Sequence, residues 1–186
     1  FMSVRLTGGE KKGFRLSIDK KSSMRPTSEK VRSAVFSVLG PNVVDAKVLD
    51  LYAGTGAFGF ESLSRGAKLV DFVELDGAKC FQIRNFAEKL GFKEMIKVYR
   101  GQAEKRIKNF GEYQLIFADP PYDHNPWEKL MLTIGSNCIV KKGGIVVAEH
   151  SKMTTMLDQY GVLKKKISKK YGDTMISIYQ TGLELC

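Results

Sequence analysis

Two short stretches of this 186-residue chain combine residue types at spacings that chemistry can use. The first, residues 48–59, reads V-L-D-L-Y-A-G-T-G-A-F-G. An apolar run reaches Asp50, Gly54, Gly56 and Gly59 then mark a tight turn, and a helix is expected from about Ala57. Glycine lets the backbone approach a ligand closely, and a helix start offers amide donors without internal partners. Glu74 closes the next apolar run, where a carboxylate can accept from ribose hydroxyls. The second stretch is Asp119-Pro120-Pro121-Tyr122. Two successive prolines remove two amide donors and stiffen the chain. The Asp119 carboxylate and the Pro120 carbonyl remain as a rigid pair of acceptors. Such a pair can hold an exocyclic amine by its two N–H groups and aim its lone pair at an electrophile. Asp119 can also disperse the positive charge that builds on nitrogen. Tyr122 offers a flat face to the base carrying that amine.

The glycine spacing alone also fits a nicotinamide dinucleotide. Asp50 shifts the reading, because a carboxylate at the mouth of the turn disfavours an anionic pyrophosphate. S-adenosylmethionine carries a cationic sulfonium and an ammonium and no phosphate, so an acid there suits it. The plainer role for Asp50 is to cap the turn through backbone amides. For Asp119 the plainer role is a strand-end residue in a rigid turn. An in-line methyl displacement needs chiefly positioning of the reactants, with no metal and no covalent intermediate.

The elements that must position these residues alternate from residue 46 onward. Strands are expected near 47–51, 69–74, 95–99, 114–118 and 144–149, with helices near 57–66, 77–90, 102–109 and 126–138. Alternating strands and helices imply a parallel sheet covered on both faces, with ligands at the carboxyl ends of the strands. That rule puts Gly54, Glu74 and Asp119 on one edge. The runs 162–167 and 174–181 are joined through residues 169–173, so they must be antiparallel. Ahead of the sheet, residues 3–18 alternate weakly around Gly8-Gly9 and Gly13, which predicts a β-hairpin, and 19–24 reads as a loop. A helix capped by Thr27 or Ser28 follows, with Val31, Ala34, Val35, Val38 and Leu39 on one face and Gly40-Pro41 at its end. The expected organisation is an N-terminal hairpin extension over 1–24 and one catalytic domain over 25–186.

Composition narrows the class. A hydrophobic share of 43% is that of an ordinary globular domain. No apolar run approaches the roughly 20 residues a membrane helix needs, and the first residues are too polar for a secretory leader. Cys80, Cys138 and Cys186 are isolated, which predicts neither disulfides nor structural zinc and points to a reducing cytoplasm. The formal net charge is +10. Residues 1–32 hold nine Lys and Arg against three acids, and 151–172 hold six against one. Basic charge therefore flanks a near-neutral middle, which fits a polyanion laid across the domain. Lys164, Lys165 and Lys166 are candidates for phosphate contact, or for a merely solvated strand. His150 and Trp127 read as structural residues.

These motifs resemble the bacterial RsmD family of S-adenosylmethionine-dependent methyltransferases, which modify the 2-amino group of a guanine in 16S ribosomal RNA. The resemblance rests on R-P-T-S-E-K-V-R at 25–32, D-L-Y-A-G-T-G-A-F-G-F-E-S-L-S-R-G-A at 50–67, F-V-E-L-D at 72–76, F-A-D-P-P-Y at 117–122 and the basic closing hairpin. It implies a seven-stranded, Rossmann-like class I methyltransferase fold, mostly parallel, closed by an antiparallel C-terminal hairpin. It implies S-adenosylmethionine as cofactor, S-adenosylhomocysteine as product, and 16S RNA or an assembling small subunit as partner. Carried over to this chain, Asp50, Tyr52, Ala53, Gly54, Thr55 and Gly56 would face the methionine moiety. Glu74 and Leu75 would hold the ribose side. Gln102 and Ala103 would meet the adenine, where the family usually has Asp-Ala. Asp119, Pro120 and Tyr122 would be catalytic, and Arg25, Thr27, Arg32 and Pro121 would meet the target nucleotide.

A DNA adenine-N6 methyltransferase shares D-P-P-Y, but 186 residues leave little room for a target-recognition region. A protein glutamine methyltransferase usually has Asn at the place of Asp119. A non-catalytic RNA-binding module need not keep an intact glycine turn together with Asp119.

Overall fold

Strands β3 (Lys47–Leu51), β4 (Leu69–Glu74), β5 (Ile96–Arg100), β6 (Tyr113–Ala118) and β7 (Val140–Ser151) form five parallel neighbours in one sheet, in the order β5-β4-β3-β6-β7. The computed structural model describes residues 2–18, 27–121, 124–136 and 139–182. Chain order reverses between β3 and β6, because β3 leads outward to β4 on one side while β6 begins the other side. An open parallel sheet leaves a crevice outside the strand ends at such a point.

The sheet continues through β10 (Thr174–Thr181), β9 (Leu163–Tyr171) and β8 (Gln159–Tyr160), each antiparallel to its neighbour. The sheet thus has eight strands, one more than the seven expected. The extra strand is a two-residue edge piece, too short to leave a periodic pattern. The closing hairpin is also tighter than predicted: β9 runs on to Tyr171, and only Gly172 and Asp173 turn the chain. Gly172 has φ 65°, which a glycine adopts without strain.

Helices cover both faces. On one side lie α1 (Glu29–Leu39), α2 (Ala57–Ser64) and α3 (Gly77–Leu90), in a core with Val35, Phe58, Phe72 and Phe117. On the other lie α4 (Ala103–Arg106) and α5 (Trp127–Ser136), packed with Leu51, Ile116 and Val146. The helix expected over 102–109 is shorter, with a 3-10 turn at Ile107–Asn109. Local chemistry sets the ends. Ser28 accepts the Val31 amide at α1, Asp76 accepts those of Ala78 and Lys79 at α3, and Gly91 closes α3 with φ 78°. No described helix is long and apolar enough to cross a membrane.

Strands β1 (Met2–Arg5) and β2 (Arg15–Ile18) form the predicted hairpin as a separate two-stranded sheet. Its Val4, Leu6 and Leu16 belong to the same core as α1 and α2. The loop expected at 19–24 lies outside the described residues.

The inner face of α1 differs from the sequence reading. Val31, Arg32, Val35, Phe36 and Leu39 are buried, while Val38 is exposed. Phe36 turns inward because Phe58 and Phe117 offer a ring cluster, with centroids 6.3 and 5.7 Å from its own. Arg32 turns inward because Glu61 waits there. Apolar periodicity registers neither preference.

Candidate active site

The glycine turn after β3 is stitched together by two carboxylates. The Gly54 amide donates to Glu74 Oε2 at 2.7 Å, and the Asp76 amide donates to Glu74 Oε1 at 2.8 Å. The Gly59 amide, in the first turn of α2, donates to Asp50 Oδ2 at 2.9 Å. The Gly56 amide is taken by the Ala53 carbonyl. The amides of all three glycines are therefore already engaged, and two buried acids stand behind the turn. Such a turn repels an anionic bridge and accommodates a cationic ligand. Burial pushes Asp50 up to about 8, against the pull of the Gly59 amide and with a further push from Glu74. Of the two roles weighed for Asp50, this geometry displays the cap: it accepts the Gly59 amide in the first turn of α2.

Positive φ angles at Gly54 (58°) and Gly56 (75°) bend the turn, and Tyr52 shares the conformation at 57°. In a residue with a side chain that conformation carries strain. The Tyr52 hydroxyl donates to Glu104 Oε1 at 2.8 Å, and His124 Nε2 lies 2.5 Å from the same oxygen. Burial alone would raise Glu104, but hydrogen bonds from His124, its own backbone and Tyr52 outweigh it, and the net shift is downward.

A cavity of about 1550 Å³ opens at this edge of the sheet. Tyr52, Glu74, Leu75, Gln102 and Ala103 line one part of it, and Asp119, Pro121 and His124 another. Glu74 and Asp119 thus face one space from opposite sides of the switch point. Leu75 is well exposed for an apolar residue, at 61%, and Gln102 makes no capping bond to α4. The expected residues divide accordingly. Asp50, Ala53, Gly54, Thr55 and Gly56 shape the turn beneath the cavity and do not line it. Pro120 is buried behind Pro121. Arg25 and Tyr122 lie outside the described residues.

Arg32 is a correction. Expected at the target nucleotide, it is wholly enclosed: Nε donates to Glu61 Oε2 at 3.2 Å, and its terminal nitrogens reach the carbonyls of Thr27 and Arg5. Glu61 also accepts from the Thr7 amide, the Thr7 hydroxyl and Arg65 Nε. The V-R and L-S-R-G-A segments thus tie hairpin, α1 and α2 together. A fully enclosed guanidinium has no surface left for RNA.

Of the three lysines left open between phosphate contact and a solvated strand, Lys165 is engaged within the fold. Its ammonium donates to the Met156 carbonyl and to Asp158, so it holds the preceding loop. His150 is buried between Ser177 (2.9 Å) and the Trp127 ring, so both are structural residues, as read from the sequence.

Three acidic or basic groups at the site escaped the sequence reading: Glu149, Glu104 and His124. Ala118 pairs with Ala148, so Asp119 and Glu149 emerge side by side from β6 and β7. The signal for Glu149 was present, since it ends a core strand on the same edge as Glu74 and Asp119. Thr27, expected at the target nucleotide, is instead buried at the mouth of α1 and bridges the two: its Oγ1 lies 3.2 Å from Asp119 Oδ2 and 2.6 Å from Glu149 Oε2. Burial lifts Asp119 well above the usual carboxylate range, the charge of Glu149 lifts it further, and the Thr27 hydroxyl pulls it back.

Comparison with known proteins shows the family. A family model described as "Conserved hypothetical protein 95" matches residues 4–180. The chain is 32% identical to a Bacillus subtilis (strain 168) protein named "Putative rRNA methyltransferase YlbH", over 95% of this chain and 98% of that one. It is 28% identical to "Ribosomal RNA small subunit methyltransferase D" of Escherichia coli (strain K12), over 95% and 89%. Among solved structures, "Putative methyltransferase yhhF" from Escherichia coli superposes with a TM-score of 0.88 at 26% identity, covering 98% of this chain and all of that one. The fold also matches that of an RNA methyltransferase from Salinibacter ruber in complex with S-adenosyl-L-homocysteine, with a TM-score of 0.66 at 14% identity over 87% and 97%.

Proposed function

The chain belongs to this family, the RsmD family, and on that premise we propose that it methylates the exocyclic 2-amino group of a guanine in 16S ribosomal RNA, using S-adenosylmethionine. It is a methyltransferase by fold and by kinship. The single observation that carries the finer reading is the shared cavity: Glu74, Asp119 and Pro121 open onto one space. Naked RNA and an assembling small subunit are both candidate partners, and such a substrate places the protein in the cytoplasm.

The residues present suit the cofactor. Its positive charge would sit above Glu74 and Asp50, which already occupy the Gly54 and Gly59 amides, and a cation seated there would draw the buried Asp50 toward its ionised form. Glu74, Leu75, Gln102 and Ala103 would hold the adenosine portion. When bound, S-adenosylmethionine supplies an electrophilic methyl group on a sulfonium. Asp119 and the Pro120 carbonyl would accept the two N–H groups of the guanine amine and fix its lone pair toward that methyl. A guanine inside folded RNA would have to leave its stack to reach them. Pro121, exposed at the cavity wall, would pack against the base. Thr27 would hold Asp119 from behind, out of contact with the nucleotide.

Labelled methyl transfer tests the reading. Ribosomal RNA and small-subunit particles from cells lacking this protein are incubated with it and methyl-labelled S-adenosylmethionine, then digested to nucleosides. Label in N2-methylguanosine is the expected result. Label confined to adenine, or to added DNA, would overturn it.

A further inference from the structure

A hydroxyl owns one hydrogen, yet the Thr27 hydroxyl stands within hydrogen-bond reach of two carboxyl groups. It can donate to only one of them. The second contact is a hydrogen bond only if that carboxyl brings a proton of its own. The surroundings decide which one does. Glu149 is 6% exposed, and Thr27 is its side-chain hydrogen-bond partner among the described residues. Arg32 of α1 is the nearby cation, but its donors are turned to Glu61 and to the Thr27 and Arg5 carbonyls. Asp119 faces Glu149 from β6, and Asp50 acts on Asp119 from β3. On β10 the partner of Glu149 is the apolar Ile176, and beyond it Lys169 of β9 is exposed. Asp119, by contrast, opens onto the cavity.

We propose that Glu149 is a positioning residue that keeps the shared proton: Glu149 donates to Thr27 Oγ1, Thr27 donates to Asp119 Oδ2, and Asp119 is thereby held ionised to accept from the substrate amine. The inference rests on the methyl-transfer reading above. As the amine nitrogen bonds the methyl carbon, with the methyl–sulfur electron pair left on sulfur, that nitrogen gives one proton to the waiting Asp119 carboxylate. Burial lifts both carboxyls, Glu149 to about 7 although Thr27 and Arg32 pull it down, and Asp119 well above its usual range, so the pair keeps one proton between them. The enclosure of Glu149 against the open cavity beside Asp119 puts that proton on Glu149. Once Glu149 ionises, two carboxylates compete for one hydrogen and the chain to Asp119 breaks. Methyl transfer therefore has an alkaline limb that belongs to Glu149.

The test compares Glu149→Gln, Glu149→Ala, Thr27→Ser and Thr27→Val in the full chain, with kcat followed against pH and glutamate carboxyl carbons followed by NMR. An amide can donate to Thr27 as a protonated carboxyl does. Glu149→Gln is expected to restore most of the rate that Glu149→Ala loses, about tenfold or more, and to abolish the alkaline limb. Thr27→Ser is expected to act like the unaltered protein and Thr27→Val like Glu149→Ala. The NMR spectrum is expected to show one glutamate protonated up to near neutrality that vanishes in Glu149→Gln. A Glu149→Gln variant as slow as Glu149→Ala, or one that keeps the alkaline limb, would overturn the proposal. So would a Glu149 that titrates like an exposed glutamate. Lack of methyl transfer by the unaltered protein, with that protonated glutamate present, would sink the functional reading and leave the proton where we place it.

Discussion

The guanidinium of Arg32 sits 3.2 Å from the Glu61 carboxylate, and neither side chain reaches solvent. The pair joins α1 to α2, and through Thr7 and Arg5 it fastens the N-terminal hairpin to both. Breaking a buried pair leaves an uncompensated charge, which costs about 3–5 kcal/mol. Glu61→Ala is therefore expected to lower stability by that amount in urea unfolding. A loss below about 1 kcal/mol would mean that Arg32 finds water or another partner.

Asp119→Ala is expected to leave folding and cofactor affinity intact and to slow methyl transfer about a hundredfold or more, the scale of losing one preorganised polar group at a reacting centre. Calorimetric titration with S-adenosylhomocysteine and a transfer assay separate the two effects. Full activity in this variant would remove Asp119 from the mechanism.

The third glycine of the turn serves packing. A Cβ at Gly59 would overlap the Phe72 ring and crowd Val70. Gly59→Ala must push α2 off β4 and disturb the Gly59–Asp50 hydrogen bond. Overpacking of this kind costs about 1–3 kcal/mol. Thermal unfolding is the check, and an unchanged midpoint would show that Phe72 has room to turn.

Much of this architecture could be read in the residues before any coordinates. Asp50, Gly54, Glu74 and Asp119 each end an apolar run or open a turn, and such punctuation is local and strong. The burial of Arg32 was not readable, because a cation in an amphipathic helix ordinarily faces water and its partner lies 29 positions away. Glu149 was passed over for a similar reason. Its meaning comes from the β6–β7 register and from Thr27, 122 positions distant. The two-residue β8 was invisible because a pattern of period two needs more than two residues.

Asp50 makes stability depend on pH. Its ordinary value is 3.8, and the folded protein raises it to about 8. A raised carboxyl binds its proton more tightly when folded, so its contribution is whole below about pH 4 and is lost as pH climbs toward 8. Asp50→Asn, whose carbonyl can still accept from Gly59, is expected to flatten that decline and to exceed the unaltered protein at pH 9 by about 1 kcal/mol or more. Urea unfolding at pH 5 and pH 9 checks the sign. An equal decline in both proteins would place the titration elsewhere.

Position along β9 separates the lysines. Lys169 and Lys170 pair with Ile176 and Met175, which sit opposite Glu149 and His150 at the carboxyl end of β7, whereas Lys164 pairs with Gln180 near the far end. Changing Lys169 and Lys170 to Glu is expected to weaken RNA binding and to reduce the slope of log affinity against log salt by about 1–2. Lys164→Glu should do much less. The reverse ranking would put the RNA on the other end of the hairpin.

The central claim is that the methyl donor and the amine acceptors share one cavity. A crystal structure with S-adenosylhomocysteine bound tests it most directly. The expected result places the ribose at Glu74 and the sulfur facing Asp119 across the glycine turn that follows β3. An S-adenosylhomocysteine seated outside this cavity, or with its sulfur turned away from Asp119, would contradict the account.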